Sequence, residues 1–144
     1  FDLPAFYNEV RRIAAPGGVI ALVTYGIFEA AGDVNARLQH FYWDEMHAFW
    51  PAGRENVENG YRDIDFPFTP IPLSDFAADL VIEREWGANH FMQYCETWSA
   101  TKRARAAGRG DIVAKMRHDL EHLLGAAGRM RLRWPIAIKA GRVG

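Results

Sequence analysis

The stretch RRIAAPGGVIALVTYG, residues 11–26, constrains this chain more than any other. Its second half, Val19-Ile20-Ala21-Leu22-Val23-Thr24-Tyr25, is almost continuously apolar, the pattern of a strand covered on both faces in a parallel sheet. Pro16 halts the preceding segment, and Gly17-Gly18 supply the backbone freedom that a tight entry turn needs. Such a strand belongs inside a sheet, with neighbours on both edges, yet only eighteen residues come before it.

The rest of the chain supplies partners of mixed type. Leu3, Phe6, Tyr7, Val10 and Ile13 mark one face of a helix, with Asp2 as its cap, Pro4 in its first turn and Arg11-Arg12 in its last. A second helix is predicted over 33–50, its stripe being Val34, Leu38, Phe41, Tyr42 and Phe49, with Glu45 a polar intruder. Residues 51–75 hold four of the seven prolines and read as a long loop. Alternation predicts a strand over 77–86 with a wet face bearing Glu83 and Glu85. A long helix over 88–107 and a shorter one over 111–124 follow. The last strand, 130–139, alternates Met130, Leu132, Trp134, Ile136 and Ile138 against Arg131 and Arg133. Pro135 within it implies an edge position or a bulge. If the two late strands pair antiparallel, their glutamates and arginines meet across the ladder.

Composition narrows the class. With 144 residues, 49% hydrophobic and 24% charged, the chain is sized for a single globular domain. No apolar run approaches the roughly 20 residues of a membrane helix, and the first residues lack the basic start of a signal peptide. One cysteine excludes an internal disulfide and fits a reducing, cytoplasmic setting. The missing initiator Met and the bulky first residue point to a fragment or processed product. The net charge of −1 hides an asymmetry: residues 1–98 carry 6 Lys/Arg against 15 Asp/Glu, and residues 99–144 carry 11 against 3. The basic residues are spread through periodic segments, so pairing between the two halves is expected rather than a nucleic-acid arm.

Four segments in order carry a resemblance: RRIAAPGGVIALVTYG, FWPAGRENVENGYRDIDFPF, YCETWSATKRARAAG and RMRLRWPIAIKAGR. Together they resemble the C-terminal part of a class I S-adenosylmethionine-dependent methyltransferase, in the small-molecule branch related to trans-aconitate methyltransferases. The resemblance implies an α/β fold, the C-terminal portion of a Rossmann-like methyltransferase. It has about three strands (19–25, 77–86 and 130–139, the fifth, sixth and seventh of the family's sheet), about five helices, and a helical lid over 88–124. The last strand would lie antiparallel between the other two. The implied activity is methyl transfer from S-adenosylmethionine to a small-molecule acceptor. The glycine-rich cofactor loop of the family is not found in these residues and is expected upstream, so no cofactor is expected to bind tightly to this chain alone. The rival reading is a non-catalytic binding or oligomerisation module derived from a methyltransferase. In either case the bare edge of the first strand calls for cover, and a homo-oligomer is expected to provide it; neither nucleic acid nor membrane is expected as partner.

Within that resemblance the candidate substrate-binding residues are Tyr25, Tyr42, Trp50, Arg54, His90, Tyr94 and Trp98; no catalytic residue is assigned. Tyr25 ends the buried strand, where open α/β sheets bind ligands. Tyr42 and Trp50 would wall an acceptor pocket, or equally fill a core. Arg54 could clamp a carboxylate with two hydrogen bonds, or simply be solvated. His90, Tyr94 and Trp98 recur every four residues, with Trp86 before them, either as part of the lid or as an ordinary helical stripe. Cys95 reads as a small core residue. His118 and His122 lie opposite their helix's apolar stripe with no third ligand, so no metal site is expected.

Overall fold

The computed structural model describes residues 2–74 and 79–144. Its elements in order are α1 (Leu3–Ile13), β1 (Val19–Tyr25), α2 (Gly32–His40), α3 (Arg54–Glu58), β2 (Thr69–Pro70), β3 (Val81–Trp86), α4 (Ala88–Glu96), α5 (Ser99–Ala106), α6 (Gly110–Leu124) and β4 (Met130–Arg142). The fold is α/β, as expected. In its sheet β4 lies between β1 and β2, and β3 also pairs with β4. β1 runs antiparallel to β4, from Val19 opposite Arg142 to Tyr25 opposite Ile136. On the β3 side, Ile136 donates its N–H to the Leu80 carbonyl, and Arg133 meets Glu83 at 2.9 Å. The last strand therefore sits between the two earlier ones, and one of the anticipated cross-strand ion pairs forms. Residues 75–78, where the sixth-strand region was expected to begin, lie outside the described residues; β3 itself starts at Val81.

Pro135 marks a bulge. Between the Tyr25–Ile136 pair and the Glu29–Arg133 bridge, Gly26, Ile27 and Phe28 oppose only Trp134 and Pro135. The mismatch lets Gly26 donate to the Pro135 carbonyl at 2.7 Å, while no ladder donor is needed from the proline.

Contacts divide the chain into two compact units. The first contains the chain up to Ile27, together with Glu55–Ile82 and Pro135–Gly144; the second contains Phe28–Arg54 and Glu83–Trp134. In the first, α1 is capped by the Asp2 carboxylate, which accepts from the Ala5 N–H at 2.9 Å, and packs its apolar face on the sheet. Tyr7, Ile20, Phe68 and Val143 form that core, with Leu3, Phe6, Val10, Leu22 and Phe66 around it. Tyr7 also donates its hydroxyl to the Asp65 carbonyl at 2.6 Å, so its polar end is not left unpaired. Lys139 on β4 gives its three ammonium protons to the carbonyls of Tyr61, Arg62 and Ile64 at 3.1, 3.3 and 3.1 Å. This clamp holds a loop in which Gly60 and Tyr61 both take left-handed backbone (φ 65° and 62°). The expected structureless loop thus contains a short helix, a two-residue strand and a lysine anchor.

β1 corrects a sequence expectation. Its burial alternates: Ile20 is buried, whereas Val19, Val23 and Tyr25 are 60%, 59% and 46% exposed. One face is covered by α1 and the Phe66–Phe68 segment, and the other has no cover among the described residues. The apolar run reads as buried on both sides because side-chain type alone does not distinguish a strand covered on two faces from one covered on a single face.

Two further corrections concern the second unit. The helix predicted over 33–50 changes pitch: after α2 come a π-helical stretch, Phe41–Glu45, and a 3₁₀ turn, His47–Phe49. The wider turn accompanies an ion network. Arg37 reaches Glu45 at 3.0 Å and Asp119 of α6 at 2.7 Å, and Lys115 joins Asp119 at 2.6 Å. Glu45, the polar intruder in the stripe, is therefore half of a largely buried ion pair. The helix predicted over 88–107 is broken at Thr97-Trp98, where Trp98 takes extended backbone (ψ 138°). Thr97 and Thr101 turn their hydroxyls onto the Tyr94 and Cys95 carbonyls, which also accept from the Thr97 and Trp98 N–H groups.

Two outcomes follow. A Cβ at Gly141 would lie 2.8 Å from the Phe66 ring and 2.9 Å from the Phe68 Cβ. Gly141→Ala should therefore cost about 1–3 kcal/mol in urea denaturation. The hydrogen bonds from Lys115 and Arg37 hold the Asp119 carboxyl below the usual carboxylate range. A carboxylate lowered in this way stabilises the fold above its unfolded value, and the contribution is lost as pH falls through the lowered folded value. Below about pH 4, the wild-type chain should lose stability more steeply than Asp119→Asn, as read from denaturation midpoints across pH.

Candidate functional site

The second unit gathers an aromatic cluster around Phe28. This residue contacts Tyr42, Phe91, Trp98 and Trp134 at centroid distances of 5.1–6.3 Å. The π-helical stretch brings Phe41 and Tyr42 inward, α4 contributes Phe91 and Tyr94, and β4 contributes Trp134. The break after α4 turns Trp98 into the same space, where it meets Tyr42, Trp50 and Tyr94 at 5.9, 5.3 and 5.4 Å. Edge-to-face and tilted rings dominate, the geometry that aromatic quadrupoles favour.

Arg54 stands at one side of this cluster, at the start of α3. Its Nε donates to the Tyr42 hydroxyl at 2.8 Å, and its guanidinium carbon lies 4.2 Å from the Trp50 ring centroid. The cation is thus oriented by a hydrogen bond and stacked on an indole, which reduces the freedom it would lose on gripping a planar anion. The indole N–H groups of Trp50 and Trp134 are buried and have no hydrogen-bond partner among the described residues. Buried donors in this state are uncommon and call for an acceptor, whether water or ligand.

Five of the seven sequence candidates therefore come together: Tyr42, Trp50, Arg54, Tyr94 and Trp98. Tyr42 and Trp98 are core residues, 1% and 7% exposed, whereas Trp50, Arg54 and Tyr94 are half-buried. His90 is exposed on α4 and does not join the rings. Tyr25 belongs to the first unit, at the exposed end of β1. Sequence reading missed Phe28 and Trp134 as members, although Trp134 lay on the predicted apolar face of the last strand. Cys95 is fully buried, and that burial pushes its thiol well above the ordinary value, so it is a packing residue. His118 and His122 are exposed on α6, and the described residues contain no group of three or more side chains able to hold a metal. No helix among the described residues is long and apolar enough to cross a membrane.

The glycines of the Pro-Gly-Gly turn shape the entry to β1. They lie at the amino end of β1; Gly18 donates to the Ala15 carbonyl at 2.9 Å, and a Cβ there would meet that same oxygen. They serve the turn.

Comparison with known proteins finds relatives of both kinds, curated and structurally solved. A solved structure from Anaeromyxobacter dehalogenans, provisionally titled a type II methyltransferase, matches 99% of this chain at 38% identity with a TM-score of 0.81; the match takes up 60% of that protein. A curated protein of Dictyostelium discoideum with a provisional methyltransferase name is 22% identical over 123 residues, 83% of this chain and 45% of its own length. No protein-family model matches the chain. The fold described above is thus that of a methyltransferase-named protein, and this chain spans about half the length of the curated relative.

The Arg54–Tyr42 hydrogen bond can be tested directly. Tyr42→Phe should cost about 1–2 kcal/mol, measured by chemical denaturation, and should raise the mobility of the Arg54 side chain in NMR relaxation of its Nε–H.

Proposed function

We propose that this chain is the acceptor-side portion of a class I, S-adenosylmethionine-dependent methyltransferase of Rossmann-like fold, acting on a small molecule that bears a carboxylate. The observation that carries the reading is the match of nearly the whole chain, at 38% identity, to a protein titled a methyltransferase. S-adenosylmethionine would supply the electrophilic methyl group, and residues outside these 144 would hold it, since the glycines here serve a turn.

The work of this chain is to bind and orient the acceptor. Arg54, oriented by Tyr42 and stacked on Trp50, supplies the positive charge that recognises the carboxylate. The unpaired Trp50 indole N–H beside it supplies a further donor for the same anion. Trp98 and Tyr94 exclude water from the apolar part of the acceptor, which strengthens those charge-assisted bonds. Positioning of this kind contributes most of what a protein adds to an in-line displacement. Tyr25 and His90 remain proposed substrate contacts on the resemblance alone, and a reducing, cytoplasmic setting goes with the same reading.

Titration calorimetry with small di- and tricarboxylates tests the acceptor class. Binding should weaken at least tenfold in Arg54→Gln and be partly retained in Arg54→Lys, which keeps the charge but not the paired geometry. Equal affinity in all three proteins would refute the role of Arg54. For the full-length relative from Anaeromyxobacter, transfer of labelled methyl from S-adenosylmethionine to a carboxylate acceptor is the expected activity, and no transfer to any carboxylate would overturn the assigned substrate class.

A further inference from the structure

Apart from the ring cluster, the second unit carries an open depression of about 440 Å³ where the turn from α6 into β4 meets the start of α4. Backbone sets its shape. In the turn at 125–128, Gly125 takes left-handed backbone (φ 67°), and Gly128 donates to the Gly125 carbonyl at 3.3 Å. A Cβ at Gly128 would fall on the Leu124 carbonyl, so only glycine fits there. Gly87, just before α4, packs closely against the same turn: a Cβ on it would lie 3.3 Å from the Gly128 carbonyl oxygen.

No residue that lines the depression belongs to the aromatic cluster, and its apolar side chains are alanine methyls only. Its polar side chains are Asn89 and His90 of α4, Glu121 of α6, and Arg129. Two of them are held by the protein: Arg129 donates to the Glu85 carbonyl, and Asn89 accepts from Arg117 at 3.4 Å. Glu121 and Arg129 bring opposite charges to one cavity, yet among the described residues no ion pair joins Glu121 to Arg129 or to His90. With so little apolar surface to bury, a ligand here is held by charge. An anion alone would be repelled by Glu121 and a cation alone by Arg129, whereas a molecule that carries both signs satisfies the two together. His90, Glu121 and Arg129 are all exposed, so solvent screens these contacts and the affinity expected is millimolar.

We propose that this depression is a second binding site, for a small zwitterion of the amino-acid type, whose carboxylate meets Arg129 and His90 and whose ammonium group meets Glu121. The assignment does not rest on the methyl-transfer reading. It gives His90 a ligand of its own, apart from the acceptor contact that the resemblance implies.

The test is an NMR titration of the isotope-labelled chain with glycine and with γ-aminobutyrate, which hold their two charges at different separations. Acetate and methylammonium serve as single-charge controls at equal pH and ionic strength. Saturating shifts are expected at the amides of residues 87–90 and 125–129, with at least one zwitterion binding tenfold or more tighter than either control. Glu121→Gln and Arg129→Gln, both at exposed positions, should each weaken that binding at least fivefold, and Arg129→Lys, which keeps the charge, should retain part of it. Acetate bound as tightly as the zwitterions would make this an anion site only and overturn the proposal. So would the absence of any shift, or binding indifferent to both glutamine variants. Shifts confined to the Trp50 and Arg54 signals would place the zwitterion at the ring cluster and likewise overturn it, leaving the acceptor reading untouched.

Discussion

Backbone hydrogen bonding along β4 is the constraint on which the rest depends. The strand is 13 residues long, and its carbonyls and N–H groups serve neighbours on both edges: β1 on one side, β2 and β3 on the other. A strand so placed cannot shift by one residue without turning Trp134 and Leu132 into solvent and Arg133 into a core. Its register therefore decides where Glu83 meets Arg133, where Lys139 meets the loop carbonyls and where Gly141 admits the Phe66 and Phe68 rings. The Pro135 bulge is the one irregularity, and it falls where the partner changes from the regular β1 ladder to the isolated Glu29 bridge.

In the second unit, irregular backbone does the positioning. An uninterrupted α-helix through residues 88–107 would carry Trp98 onward along the stripe of Tyr94; the break instead turns it onto Phe28, Tyr42 and Trp50. The π-helical stretch similarly accompanies the approach of Glu45 to Arg37 while Tyr42 faces the rings. Departures of this sort weaken local hydrogen bonding, and helices retain them frequently at functional sites. Arg54 gains its orientation from the changed pitch of residues 41–49, since Tyr42 lies within the π-helical stretch and Trp50 directly follows the 3₁₀ turn.

Much of this was legible in the residues. The order of strands, the capped first helix, the antiparallel insertion of the last strand and the Glu83–Arg133 pair all follow from periodicity, punctuation and resemblance. Five of the seven candidate site residues meet in space, Tyr42, Tyr94 and Trp98 through ring packing and Trp50 and Arg54 through their contacts with Tyr42. The unforeseen features were those that depend on contacts distant in sequence. No local pattern announces that a lysine 78 positions away will collect the Tyr61 carbonyl, or that Arg37 will reach Asp119 of α6. The break at Trp98 was hidden by good helix formers on both sides, and only packing of the indole against six other rings accounts for it.

The sequence by itself determined which segments are helices and strands, because hydrophobic spacing and Gly/Pro punctuation act within a few residues. It also determined that the segment after the Pro-Gly-Gly turn is a strand. Only the tertiary structure decided which contacts that strand makes: α1 and the Phe66–Phe68 segment cover one face, and β4 pairs along one edge. It also decided which aromatic rings surround Arg54. Those outcomes depend on surfaces brought together from far apart in the chain, and pairwise packing at that range has no signature in local sequence.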